Sequence, residues 1–253
     1  MIPSRLLVVT DRHGSTRSLV ETIRAVLDGG ARWIWFRDKD LEPAARRDLA
    51  LELLDPICAA GGWLTIGGDA ALAAEIGADG MHLGMGHLDP GPKPAKAFGY
   101  SPASPEPSSQ GEAEPIRLQP ADVAKPASHR FAALPITRQA PRARDETLLV
   151  GVSAHSLGDV RRAAKVGVGY VTLSPIFATP SKPGYGPALG LDALREAAAI
   201  GPSVIALGGI TPEHVTACCE AGAAGVAVMG AVMRVADPGP ATRRLLQALH
   251  PLT

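Results

Sequence analysis

Positions 175–186 read Pro-Ile-Phe-Ala-Thr-Pro-Ser-Lys-Pro-Gly-Tyr-Gly, placing two hydroxyls, Thr179 and Ser181, and the ammonium of Lys182 within four residues. Hydroxyl donors beside a fixed positive charge suit a phosphate or diphosphate. The trio equally suits a polar loop with a solvated lysine. Two small-residue turns follow, Leu207-Gly208-Gly209-Ile210 and Val228-Met229-Gly230-Ala231. Residues without side chains let backbone N–H groups face an anion. A helix start expected at Thr211-Pro212, a cap followed by proline, adds its N-terminal field. Taken singly, each turn is also an ordinary tight loop.

These groups need elements that bring them to one place. Short apolar, β-branched runs alternate with Ala/Leu/Arg-rich segments, the pattern of parallel βαβ units. Strands are expected near 5–10, 32–37, 62–66, 79–83, 148–152, 169–174, 203–207 and 225–229. Helices are expected at about 16–28, 43–60, 69–76, 157–166, 189–199, 212–221 and 238–249. Eight strands with helices between them favour a closed (β/α)8 TIM barrel, class α/β, and 253 residues suit one such domain over 1–253. In barrels the loops after strands seven and eight commonly hold a phosphate, so Gly208, Gly209 and Gly230 become phosphate candidates together.

One segment departs from the alternation. Residues 88–147, after the fourth strand, hold 11 of the 23 prolines, a density that excludes long helices and central strands. An irregular, disordered or loosely packed insert is expected there, with an ordered cover of the mouth as the alternative. Lys+Arg and Asp+Glu balance at 25 each, so the charge carries no footprint for nucleic acid or an acidic membrane. The 13-residue apolar run 221–233 is too short to span a bilayer. The start of the chain lacks the pattern of a signal peptide, and Cys58, Cys218 and Cys219 do not form a disulfide framework. A cytoplasmic protein with reduced thiols and a small-molecule phosphate ligand is expected; homo-oligomers stay open.

The stretches WFRDKDL (35–41), IGADGMHLG (76–84), GVSAHS (151–156), YVTLSPIFATPSKPGYGPALGL (170–191), VIALGGITPEHV (204–215) and GVAVMGAVM (225–233) resemble the superfamily of thiamine phosphate synthase and the TenI-type thiazole tautomerase. The resemblance implies a barrel handling thiazole phosphate in thiamine biosynthesis. The synthase reaction joins a pyrimidine diphosphate to thiazole phosphate, releasing pyrophosphate with Mg²⁺ help. By that resemblance Arg37 and Lys39 are a basic pair on strand two, and Ser153 contacts diphosphate. Thr179, Ser181 and Lys182 match the diphosphate loop, and Gly208 and Gly209 match the thiazole-phosphate glycines.

Three positions depart from the synthase pattern. Its Mg²⁺ carboxylates fall on Gly68 and His87, neither a fit ligand for a hard ion. Its pyrimidine-reading glutamine falls on Trp35, a bulky side wall with one donor. Asp69 supplies a carboxylate only if the loop shifts. His155 matches the tautomerase's proton shuttle, and an unperturbed histidine titrates near neutrality, as such a step requires; a structural role is equally open. His82 reads as a satisfied interior histidine, and His13 and His214 as surface residues. The expectation is a TenI-like isomerase needing no cofactor. The alternatives are a synthase, for which Mg²⁺ would be required, and a non-catalytic binder of pathway phosphates.

Overall fold

The computed structural model describes residues 1–88, 148–179 and 187–249. Eight parallel strands follow one another around a closed barrel. They are β1 (Leu6–Val9), β2 (Trp33–Phe36), β3 (Trp63–Gly67), β4 (Gly80–Gly84), β5 (Leu149–Ala154), β6 (Tyr170–Leu173), β7 (Ser203–Leu207) and β8 (Gly225–Val228). The ring closes where Leu6, Leu7 and Val8 pair with Val226, Ala227 and Val228. Helices α1 (Leu19–Asp28), α2 (Pro43–Ala59), α3 (Ala70–Ile76), α4 (Leu157–Val166), α5 (Gly190–Ala198), α6 (Pro212–Glu220), α7 (Gly230–Met233) and α8 (Pro238–Leu249) accompany the strands. A 3-10 turn, Met85–His87, follows β4. Among the described residues no helix is long and apolar enough to cross a membrane.

The strands are apolar on both faces because both are buried. Alternate residues serve two separate cores. Leu6, Val8, Ile34, Phe36, Leu64, Ile66, Val171 and Leu173 point outward and pack with the helices. Leu7, Val9, Trp33, Trp35, Tyr170, Ile205 and Ala227 fill the interior. Local chemistry sets several helix starts. Ser18 and Glu21 form a reciprocal capping box on α1, Asp69 caps α3, and Ser156 caps α4. Thr211 departs from expectation. It occupies the cap position of α6 but makes no side-chain cap bond; its hydroxyl meets His214 Nδ1 at 3.3 Å instead.

The long proline-rich segment does lie between β4 and β5, since the described chain resumes at Leu148. The expectations about its order fall outside the described residues, apart from Leu88. Arg46 of α2 ties together the loops that begin the site. It donates to the carbonyls of Asp38 and Gly67 at 3.1 and 2.7 Å and to Asp69 Oδ2 at 2.9 Å.

His82 lies in the interior, 1 % exposed, and satisfied as expected, with partners on both ring nitrogens. Burial, and next the charge of Lys39, push its pKa down from 6.5 to about 3. The unfolded chain therefore takes up a proton at His82 below pH 6.5 while the folded one does not until about pH 3. Stability from this group is intact above 6.5 and falls by up to ~1.4 kcal/mol per unit of acidification inside that window. Urea unfolding between pH 7 and 5 measures the slope, and His82→Gln is expected to flatten it.

Candidate functional site

The turn after β7 is built against the loop after β6. Ile176 N–H donates to Leu207 O at 2.9 Å and Phe177 N–H to Gly208 O at 3.0 Å. Gly208 and Gly209 have φ of +95° and +66°, a region that favours glycine. A Cβ on Gly208 would lie 2.8 Å from Pro175 Cα, and one on Gly209 2.5 Å from Ala178 O. The glycines thus leave bare backbone at the mouth and allow the two loops to meet. His214, expected on the surface, braces this turn: Nδ1 donates to Gly209 O at 2.8 Å, and its ring stacks on Phe177 at 4.0 Å. Its place in the first turn of α6, five residues after Gly209, was the available signal.

Gly230 opens α7, a four-residue helix of barely one turn, too short for a helical hydrophobic repeat to show in the sequence. Loops after strands seven and eight with a short extra helix are a recurrent phosphate-binding arrangement in barrels.

Across the mouth, His155 Nδ1 lies 2.9 Å from Ser174 O and 3.3 Å from Ser174 Oγ. A carbonyl only accepts, so Nδ1–H donates to it. The His155 backbone N–H is held by Asp159 Oδ2 at 2.8 Å. Ser153, at the end of β5, is half-buried and bonded to His82. Thr179 is half-buried; Ser181 and Lys182 lie outside the described residues.

The third side of the mouth is a cavity of about 380 Å³ lined by Thr10, Asp11, His13 and the run Arg37–Asp40. Its carboxylates are engaged. Asp38 accepts from the Thr10 hydroxyl and from Arg12 N–H at 3.0 Å. Asp11 accepts from Arg234 at 2.6 Å. Asp40 meets Arg12 and His13; the His13 hydrogen bond, with smaller help from Arg12, holds its carboxyl below the usual range. Arg37 and Lys39 are exposed at the rim. Partial burial and the neighbouring charges of Arg37 and Arg46 lower the Lys39 pKa, so this ammonium gains from an anion.

Lys39 reaches over β3. Gly68 has φ +68°, and a Cβ built there would lie 2.6 Å from Lys39 Nζ. The adjacent Gly67 makes room for Trp35, whose Nε1 would be 2.7 Å from a Gly67 Cβ. Trp35 is 5 % exposed and lies on His82 with ring centroids 3.8 Å apart. Its indole N–H has no acceptor among the described residues. The side wall expected from Trp35 is therefore largely an interior filling.

The family model described as thiamine monophosphate synthase matches residues 6–97 and 134–232. The chain belongs to the thiamine monophosphate synthase family. A thiamine-phosphate synthase of Roseiflexus castenholzii is 32 % identical over 240 residues, 94 % of this chain and 85 % of that protein. A putative thiamine-phosphate synthase of Geobacter sulfurreducens is 30 % identical over 250 residues, 98 % of this chain and 95 % of that one. The solved structure of a thiamine phosphate pyrophosphorylase from Pyrococcus furiosus shares the fold, with TM-score 0.68, 22 % identity and coverage of 97 % and 95 % of the two chains.

The Mg²⁺ that the synthase alternative would require does not fit the residues at these positions of the chain. Gly68 offers no side-chain oxygen, and the Lys39 ammonium faces that position. Asp69 is committed to Leu72 N–H and Arg46, each at 2.9 Å. His87 is exposed with Nδ1 3.2 Å from Gly84 O, and Mg²⁺ prefers oxygen ligands. Among the described residues no group of three His, Cys, Asp or Glu side chains could hold a metal ion.

Two outcomes are expected. Mg²⁺ titrated into the ligand-free protein in a calorimeter gives no saturable heat at micromolar concentration; a tight isotherm would refute this account of the donor set. Gly209→Ala lowers stability in urea by about 1–3 kcal/mol, the cost of a strained left-handed residue, and weakens binding of thiazole phosphate.

Proposed function

We propose that this chain binds thiazole phosphate between the β7 and β8 turns and acts as a transferase of thiamine biosynthesis, joining it to a pyrimidine diphosphate. The observation that carries this reading is the family match on both sides of the insert, with relatives named thiamine-phosphate synthase over nearly the whole chain. In this reaction the pyrimidine C–O bond breaks, pyrophosphate leaves with the electron pair, and the thiazole nitrogen forms the new C–N bond. Arg37 and Lys39 oppose the charge growing on pyrophosphate, and Ser153 and Thr179 offer hydroxyls to its oxygens. Gly208, Gly209 and Gly230 seat the thiazole phosphate, as their turns meet the pattern of a barrel phosphate site. Ser181 and Lys182 belong to the same proposal by sequence.

A second reading, a TenI-like tautomerase, is favoured by the packing at β2 and β3. Trp35 over Gly67 and Lys39 over Gly68 leave thiazole-phosphate binding and a proton acceptor, His155 Nε2, while taking up space on the pyrimidine side. Such an enzyme moves a proton and needs no metal.

Purified protein incubated with both precursors, with and without EDTA, separates the readings. Formation of thiamine phosphate is expected under the first. Its absence, with isomerisation of thiazole carboxylate phosphate that His155→Ala abolishes, would put the second in its place. Binding of thiazole phosphate with neither reaction would leave a non-catalytic binder.

A further inference from the structure

The barrel interior holds a line of polar groups that leads up to Ser153 and that, below Ser153, the reaction itself does not use. Trp33 Nε1 lies 3.0 Å from Thr65 Oγ1. The Thr65 hydroxyl lies near enough to the Tyr170 hydroxyl to act on it. Tyr170 Oη lies 3.0 Å from His82 Nδ1, and His82 Nε2 lies 3.0 Å from Ser153 Oγ, with Thr172 Oγ1 at 3.4 Å. Trp33, Thr65, Tyr170 and Thr172 are fully buried and His82 is nearly so. Ser153 alone is half-buried, at the mouth.

The line has a direction. An indole N–H can only donate, so Thr65 Oγ1 accepts from Trp33. The Thr65 proton then has the Tyr170 oxygen as its partner, and the Tyr170 proton has His82 Nδ1. A neutral imidazole that accepts at one nitrogen donates at the other. His82 Nε2–H therefore points at Ser153 Oγ, shared with Thr172. Ser153 receives a hydrogen bond from below, and its own proton is left to face upward. Donation into a hydroxyl oxygen polarises its O–H, which strengthens it as a donor.

We infer that Trp33, Thr65, Tyr170 and His82 form a one-way hydrogen-bond relay that sets the Ser153 hydroxyl as a donor to an oxyanion of phosphate or diphosphate at the mouth. His82, Tyr170 and Thr65 are positioning residues for Ser153. The ligand half of this inference rests on the phosphate reading of the mouth; the direction of the relay does not. The ring that carries the relay is built into the fold, since a Cβ on Gly151 would lie 2.0 Å from the Tyr170 ring.

Two measurements test it. Nitrogen-15 NMR of the whole protein reports the His82 tautomer, and the relay requires the proton on Nε2; a proton on Nδ1 would reverse the two links at His82 and overturn it. Calorimetry with inorganic pyrophosphate then compares Tyr170→Phe, Ser153→Ala and the double variant. Tyr170→Phe and Ser153→Ala are each expected to weaken binding about tenfold, the scale of one hydrogen bond to a charged group. The double variant is expected to bind no more weakly than Ser153→Ala alone, because both changes remove one function. Fully additive losses, or unchanged affinity in Tyr170→Phe, would overturn the relay. If Tyr170→Phe does not fold, Thr65→Val breaks the line one link earlier and carries the same expectations. Failure of the wild type to bind pyrophosphate would instead remove the phosphate reading, while the tautomer still decides the relay.

Discussion

An eight-stranded barrel encloses a space just wide enough for side chains to fill, and here large rings fill it. Trp33, Trp35, Tyr170 and His82 occupy the interior with ring centroids from 3.8 to 5.4 Å apart. The strands around them give way. Gly67 and Gly151 carry no side chain where Trp35 and Tyr170 approach. Close packing allows no other compromise, because an added methyl has nowhere to go. Polar atoms in the dry interior call for partners; Thr65 supplies one for Trp33, and Ser153 and Thr172 supply them for His82, while the Trp35 N–H has none among the described residues.

The mouth sits on this filling, and its sides differ in what holds them. The β6–β7–β8 side is a backbone structure, glycine turns locked by two inter-loop hydrogen bonds and by His214. The β1–β2 side is an electrostatic one, where Asp11, Asp38 and Asp40 are consumed by Arg234, Thr10, Arg12 and His13. Arg46 reaches from α2 to join that side to the start of α3. The mouth thus presents bare backbone on one side and ammonium and guanidinium groups on the other.

The family match and the altered β3 edge bear on different parts of this mouth. The relatives named as synthases match 94 % and 98 % of this chain and support the proposed transfer. Gly68 and the Lys39 ammonium over it speak about how charge is balanced during that reaction. A lysine gives a fixed positive charge without coordination geometry, so under the proposed transfer the change bears on how diphosphate is neutralised more directly than on the choice of ligand.

The order of strands and helices was legible in the chain, because burial on both faces writes continuous apolar runs and helices write a 3.6-residue period. So were the glycine turns at 208–209 and 230 and the missing carboxylates at 68 and 87, since each depends on residue type alone. What the sequence could not place was any contact made by closing the ring. His82 meets Ser153 and Tyr170, which are 71 and 88 residues away, and only the strand register sets them side by side. Lys39 over Gly68 and His214 stacked on Phe177 arise the same way, from loops converging at one end of the barrel. Local pattern decides which element forms, and closure of the ring, with its fixed interior volume, decides which side chains meet.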